Sequence, residues 1–240
     1  MSGLWHGRKM SKIAVIDYDA GNTMSVLNAL KYLGYEVVLS KDPQELYKAD
    51  HVIFPGVGAY ADSMDKLNAY GLVGPIKDIV KNKVPFLGIC LGMQLIFESS
   101  TENASDLGKS AIEGLGLLKG TISGFRENSL FLEKAVEKNV LPSGTCAERV
   151  ILKVPHMGWN SLEIRNRESK LFKGIDNGSF VYFVHSFYLN AASREDVAAV
   201  TDYGISFDSA VEHENIFGCQ FHPEKSGDVG MEILKNFCMI

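Results

Sequence analysis

Residues 13–98 alternate short apolar runs of β-forming residues with helical patterns, and this alternation restricts the possible folds more than any other feature. Strand-like runs cover residues 13–16, 35–39, 51–54 and 84–89. Helical patterns follow each run, at residues 26–33 (closed by Gly34), 43–48, 72–81 and 91–98. Strands separated by helices pair in parallel through right-handed crossovers. The sequence therefore predicts an α/β fold with a doubly wound, mostly parallel sheet.

Beyond Leu115 the β-rich runs become closely spaced, at residues 150–154, 180–184, 197–201, 206–211 and 216–221. We expect these runs to add strands, some antiparallel, to the same sheet. A last helix is predicted over residues 229–237. Because no repeat or low-complexity linker divides the chain, residues 10–240 are predicted to form one domain. Residues 1–9 lack the apolar segment of a signal peptide and are interpreted as a tag or disordered extension.

Composition argues against several classes of partner and compartment. The chain has 240 residues, 46% of them hydrophobic and 22% charged, as expected for a globular domain with a sizeable core. Its net charge of −5, without a long basic run, argues against nucleic acid or an anionic membrane as a partner. The cysteines form neither a disulfide scaffold nor a C-x-x-C zinc site, so we expect a cytoplasmic protein without a metal.

A cysteine flanked by glycines ends the fourth predicted strand, in the segment Gly88-Ile89-Cys90-Leu91-Gly92. This G-x-nucleophile-x-G pattern, between a strand and a helix, is typical of a nucleophile elbow. The N-terminus of the following helix favours negative charge, and hence the thiolate. The N–H of Leu91 would donate to an oxyanion. The alternative is a buried core cysteine, which is what most free cysteines are.

The segment His222-Pro223-Glu224 directly follows the last strand-like run. Pro223 keeps the chain extended, so the side chains at i and i+2, His222 and Glu224, point to the same side. A carboxylate beside an imidazole fixes its tautomer and stabilises the imidazolium that forms when the ring takes a thiol proton. An ordinary strand end with a solvent-exposed ion pair is the alternative interpretation.

Taken together, these segments resemble the class I (triad) glutamine amidotransferases. More narrowly, they resemble the glutaminase subunit of imidazole glycerol phosphate synthase, an enzyme of histidine biosynthesis. The matching pieces run in the family's order over nearly the whole chain: I-D-Y at 16–18 with G-N at 21–22, F-P-G-V-G-A at 54–59, G-I-C-L-G-M-Q at 88–94, P-H-M-G-W-N at 155–160, Y-F-V-H-S-F-Y at 182–188 and G-C-Q-F-H-P-E-K-S at 218–226.

The resemblance implies a flavodoxin-like fold and a role for each matching residue. Cys90 would be the nucleophile, His222 the base and Glu224 its orienter. Val57, Gly58 and Leu91 would form the oxyanion hole, with the Gly56–Val57 peptide turning its N–H inward only when the partner's site is occupied. Glutamine would be bound by Gly58, Gln94, Glu102, His185, Ser186 and Phe187, the last three mainly through main-chain groups. No cofactor is implied.

The same resemblance implies a partner. The chain would hydrolyse L-glutamine and pass ammonia to a (βα)₈-barrel synthase, as one half of a heterodimer that forms imidazole glycerol phosphate and aminoimidazole carboxamide ribotide. Asn22, Trp159 and Asn160 are predicted for the docking face.

Three alternatives stay open on the sequence alone. The chain could be a paralogous amidotransferase subunit of a surface-polysaccharide sugar pathway, a stand-alone cysteine hydrolase of the same fold, or a binding subunit that has lost its activity. The connection over residues 120–150 is longer than is usual for the subunit. For this reason the paralogue stays among the alternatives. Its residues 131–140 are predicted as a short helix.

Overall fold

The computed structural model describes residues 11–20, 22–135 and 152–240, although not the side chains of residues 133–135. The strands of these regions are β1 (Lys12–Ile16), β2 (Glu36–Ser40), β3 (His51–Gly56), β4 (Phe86–Cys90), β5 (Ser99–Ser100), β6 (Ile112–Glu113), β7 (Gly120–Gly124), β8 (His156–Ser161), β9 (Glu163–Ile164), β10 (Phe180–His185), β11 (Phe187–Ala191), β12 (Val197–Tyr203), β13 (Ile205–His213) and β14 (Ile216–Cys219). Their α-helices are α1 (Thr23–Tyr32), α2 (Pro43–Leu46), α3 (Tyr60–Ala69), α4 (Val73–Lys81), α5 (Leu91–Leu95), α6 (Ser129–Ala135) and α7 (Gly227–Cys238).

One large sheet organises these elements. Strands β2, β1, β3, β4 and β14 lie side by side in that order and pair in parallel. The sheet continues through β13, β11 and β7, each antiparallel to its neighbour, and ends with β5 and β6. The prediction of a doubly wound, mostly parallel sheet with added antiparallel strands is confirmed.

Helices cover both faces of this sheet. Apolar side chains of α1 and α7, including Leu30 and Phe237, pack in one buried cluster. Those of α2, α3, α4 and α5, including Leu67 and Ile76, pack in a second cluster on the opposite face. Because both faces are covered, the central strands consist mainly of apolar residues, and β3 and β4 are buried at every residue.

Two strand predictions are wrong in detail. The run at 180–184 is a strand, but it pairs with β8 in a separate two-stranded antiparallel ribbon, where Phe183 lies opposite Gly158. The chain returns to the large sheet after Ser186, through β11. Of the predicted strand at 150–154, residues 152–154 are described, and they form a loop in which Leu152 and Val154 pack against the core by their side chains alone.

Two helices differ from the sequence prediction. Helix α3 was not predicted, although its buried positions Tyr60, Met64 and Leu67 have the i, i+4, i+7 spacing of an amphipathic helix. Helix α6 begins at Ser129, earlier than predicted, and its Phe131 packs 5.0 Å from the ring of Phe125. The remainder of the predicted helix over 131–140, most of the long connection and the predicted tag at 1–9 lie outside the described residues.

No helix in the described part of the chain is long and apolar enough to cross a membrane.

Candidate active site

Cys90 stands at the sharp turn between β4 and α5. Its backbone adopts φ +54° and ψ −112°, a conformation that residues with a side chain rarely occupy. The flanking glycines are sterically required, since a Cβ at Gly92 would lie 1.8 Å from the carbonyl oxygen of Phe54 and one at Gly88 would lie 2.7 Å from the backbone of Met93. The local sequence thus forces the strand-to-helix turn that presents the Cys90 side chain at the end of the sheet.

His222 and Glu224 form a buried pair beside this turn. The Nδ1 atom of His222 lies 2.9 Å from Oε1 of Glu224, and both side chains are almost completely buried. The His222 backbone is fixed because its N–H donates to the carbonyl of Tyr182 at 2.9 Å and its carbonyl accepts from the Ser226 hydroxyl at 2.6 Å. The predicted pairing of His222 and Glu224 is present and faces inward rather than to solvent. The predicted extended segment is wrong, because the chain turns into a 3₁₀-helix over Pro223–Lys225 and this turn brings the two side chains together.

The charges around His222 favour its protonated form. Burial opposes the imidazolium, but hydrogen bonding and electrostatic attraction from Cys90 and Glu224 outweigh burial and raise the pKa of His222 to about 10. The Nε2 atom has no hydrogen-bond partner among the described residues. Glu224 thus fixes one ring nitrogen and leaves the other available to Cys90 and to a substrate.

Cys90 and His222 open into one cavity of about 450 Å³. Its walls include every residue that the sequence predicted for the oxyanion hole and the glutamine site: Val57, Gly58, Leu91, Gln94, Glu102, His185, Ser186 and Phe187. Glu224 lies behind His222 and does not reach the cavity. A larger surface cavity of about 750 Å³ runs along residues 163–177, away from Cys90.

Two polar side chains of this cavity, Glu102 and His185, already form hydrogen bonds within the protein. Glu102 accepts a hydrogen bond from the N–H of Tyr60 at 3.1 Å, and burial raises the pKa of its carboxyl. His185 is buried and its Nδ1 lies 2.8 Å from the carbonyl of Phe187, while burial lowers the pKa of the ring to about 3. The His185 ring is therefore neutral and supports the cavity wall, which agrees with the main-chain role expected for its segment.

Gln220 is a contact of Cys90 that the sequence analysis did not single out. Its Nε2 atom lies 3.6 Å from the Cys90 sulfur, and the residue is fully buried. A signal was present in the sequence, because Gln220 lies two residues before His222 in the strand-like run predicted over 216–221, where alternate side chains would point to the same side. In the structure β14 ends at Cys219 and the chain bends at 220–221.

The residues predicted for a docking face have different environments. Trp159 is 55% exposed and packs edge-on against Tyr182, which leaves a large apolar surface uncovered. Asn160 is half-buried, and its amide donates to the carbonyl of Asp202 at 2.8 Å. Asn22 precedes α1 and makes no capping hydrogen bond. Among the described residues, no group of three or more histidine, cysteine or acidic side chains is arranged to hold a metal ion.

The combination of fold, elbow and buried His–Glu pair agrees with what family comparison finds. The family model for class-I glutamine amidotransferases matches residues 14–240, and the chain belongs to this family.

Within this family, the chain is similar to one particular type of subunit. The chain is 44% identical over 225 residues to the imidazole glycerol phosphate synthase subunit HisH of Caldanaerobacter subterraneus subsp. tengcongensis, covering 94% of this chain and 96% of that protein. The HisH subunit of Moorella thermoacetica is 43% identical over 228 residues, covering 95% and 94% of the two chains.

Solved structures support the fold. A glutamine amidotransferase crystal structure superposes with a TM-score of 0.64 at 16% identity, over 95% of this chain and 99% of that one. PurLQS from Thermotoga maritima gives a TM-score of 0.63 at 18% identity, over 95% and 98%.

Proposed function

We propose that this chain is the glutaminase subunit of imidazole glycerol phosphate synthase, and that Cys90, His222 and Glu224 are its catalytic triad. The observation that carries the chemistry is the placement of Cys90 at a strained elbow, beside the buried His222–Glu224 pair, in one cavity of substrate size. The HisH relatives supply the pathway, since their similarity extends over almost the whole of both chains.

The reaction follows from the positions of the three side chains. The Cys90 sulfur attacks the γ-carbonyl carbon of glutamine, and the resulting oxyanion accepts hydrogen bonds from the N–H groups of Leu91 and the Val57–Gly58 segment. The imidazolium of His222 protonates the leaving nitrogen, which departs as ammonia and leaves a γ-glutamyl thioester. His222 then takes a proton from water, which attacks the thioester and releases glutamate.

Glutamine recognition uses the other walls of the cavity. The substrate carries an ammonium and a carboxylate, and both need partners. Glu102 offers a carboxylate oxygen to the ammonium, with Gln94 beside it. The main chain around His185, Ser186 and Phe187, together with Gly58, provides the remaining hydrogen bonds.

We further propose that the ammonia passes to a (βα)₈-barrel subunit, with which the chain forms a heterodimer. The exposed Trp159 and the loop that precedes α1 at Asn22 belong to the docking face in this proposal. Residues 10–240 then form one amidotransferase domain. The free, buried Cys219 and Cys238 suit a reducing compartment, the cytoplasm.

Glutamate release by the purified chain tests this function. We expect slow release from the chain alone and stimulation of about 100-fold or more when the barrel subunit of imidazole glycerol phosphate synthase and its nucleotide substrate are added, because the partner completes the oxyanion hole. Equal rates with and without the barrel would favour a stand-alone cysteine hydrolase. Absence of activity with this barrel, but activity with a barrel from a polysaccharide pathway, would favour the paralogue.

The oxyanion role of Val57 can be tested by removing one hydrogen-bond donor. Val57 is 40% exposed at the mouth of the cavity and is not among the residues with positive φ, and proline at this position deletes the N–H. We expect Val57→Pro to lower the partner-stimulated kcat by about 10²- to 10³-fold. Val57→Ala keeps the N–H and serves as the matched control, with kcat close to that of the wild type. Equal losses in the two variants would show that the side chain, not the N–H, matters.

A further inference from the structure

Gln220 lies immediately after β14, between the strand and the His222 segment. It is fully buried, and its backbone N–H donates to the carbonyl of Ser209 at 2.9 Å, which anchors it to the neighbouring strand β13. Its side chain turns toward the elbow, where Nε2 lies 3.6 Å from the sulfur of Cys90. The Gln220 amide takes no part in the proposed reaction steps.

The orientation of the Gln220 amide is fixed by its neighbours. The Nε2 atom of Gln94 lies 3.0 Å from the carbonyl oxygen of Phe187 and 2.9 Å from Oε1 of Gln220. A main-chain carbonyl can only accept, so the amino group of Gln94 must face it. The second hydrogen of that amino group then requires the oxygen of Gln220 as its acceptor. The amino group of Gln220 is consequently the one that faces the Cys90 sulfur.

A second series of hydrogen bonds holds the Phe187 carbonyl in place. This carbonyl also accepts from Nδ1 of His185 at 2.8 Å, which leaves Nε2 of His185 as the acceptor for Nδ1 of His156 at 2.9 Å. Nε2 of His156 in turn lies 3.3 Å from the amide nitrogen of Asn160. Burial lowers the pKa of both rings, to about 3 for His185 and about 4 for His156, so the series is neutral and each donor has one acceptor to serve.

We propose that Gln220 is a positioning residue for the nucleophile: its amide N–H, locked in direction by Gln94 and the Phe187 carbonyl, holds the Cys90 sulfur in place for attack. A hydrogen bond to a negatively charged sulfur is stronger than one between neutral groups, so the contact gains strength when Cys90 is a thiolate. The series from Asn160 on β8 to the Phe187 carbonyl acts as the rigid support that keeps this N–H from rotating away. The proposal rests on the function of Cys90 as the nucleophile.

Gln220→Glu removes the hydrogen bond that the Gln220 amide donates to Cys90 and keeps the one that it accepts from Gln94. The carboxylate has the same shape and still accepts from Gln94, but it cannot donate to sulfur. We expect kcat of the partner-stimulated glutaminase to fall about 10- to 100-fold, while KM for glutamine stays within about threefold, because Gln94 remains anchored. Because the new carboxylate also repels a thiolate, the loss is assigned to the missing donor only if the uncharged variant Gln220→Met shows a loss too. Cys219→Val, at the adjacent buried position, is the matched control and should behave like the wild type.

A measurement without partner or glutamine separates this proposal from the function on which it rests. Iodoacetamide labelling of Cys90 in the chain alone, followed by mass spectrometry, should be slower in both Gln220→Glu and Gln220→Met than in the wild type, because neither variant has the N–H that stabilises the thiolate. Gln220→Met, which carries no charge and no donor, should also show reduced kcat and covers the case in which a buried carboxylate prevents folding. Wild-type kcat in Gln220→Met, or unchanged labelling in a folded Gln220→Glu, would overturn the positioning role. An inactive wild type would instead refute the glutaminase function.

Discussion

Replacing Cys90 with alanine should lower glutamine hydrolysis by about 10⁴-fold or more, to the background of the assay. No other group in the cavity can form the γ-glutamyl thioester, and removal of the nucleophile from a triad leaves only what binding and the oxyanion hole contribute. The variant should be as stable as the wild type, since alanine meets the same strained φ of +54° that cysteine already adopts. Glutamate release in the presence of barrel and nucleotide, with a thermal melt of the variant, is the measurement.

The other buried thiols provide the controls for this result. Cys219 and Cys238 are free and buried, but neither lines the cavity, and burial raises the pKa of both thiols. Cys219→Ala and Cys238→Ala should therefore keep full glutaminase activity, with at most a modest loss of stability from the smaller side chain. Activity that survives in Cys90→Ala but disappears in Cys219→Ala would show that Cys219, and not Cys90, is the nucleophile.

Local signals explain why much of this site could be predicted from the sequence. Glycines on both sides of Cys90 leave few conformations other than a sharp turn, and an apolar run before it makes the preceding strand buried. Pro223 keeps His222 itself extended and begins a 3₁₀-helix over Pro223–Lys225, so the pairing of His222 with Glu224 is still a short-range feature, although the extended segment that the sequence predicted is not formed. Each of these features depends on fewer than about six neighbouring residues, which is the range over which sequence patterns act reliably.

Features that depend on contacts between residues far apart in the sequence could not be predicted from such local patterns. The β-rich run at 180–184 could equally have joined the large sheet, and only the position of β8 determines that it forms a separate ribbon. Gln220 and Gln94 meet across 126 positions of sequence, and nothing local indicates which atom of either amide faces the other. The sequence thus identifies the candidate catalytic residues, while the orientation of the side chains that support them follows only from the folded chain.

Replacing Glu224 with glutamine should lower kcat by about 10³- to 10⁴-fold at neutral pH, although the side chain never touches substrate. The carboxylate accepts from Nδ1 of His222 and helps to raise the pKa of that ring to about 10. A glutamine amide can instead donate to Nδ1, which favours the tautomer with its proton on Nε2 and removes the ring's ability to take a proton from water.

The pH dependence of the variant provides the sharpest test of Glu224. The wild-type ring has a raised pKa, so its protonated form persists as pH rises and is lost only near pH 10. Without the carboxylate, only Cys90 opposes the effect of burial, so the pKa of His222 should fall. The limb of the kcat profile that reports the titration of His222 should then move to lower pH. Profiles of kcat between about pH 6 and 10 measure this shift. Glu232→Gln, which removes an exposed carboxylate paired with Lys235 on α7, should leave both kcat and the profile unchanged. If Glu224→Gln lost activity without any movement of that limb, the carboxylate would act by holding the fold rather than by setting the charge and tautomer of His222.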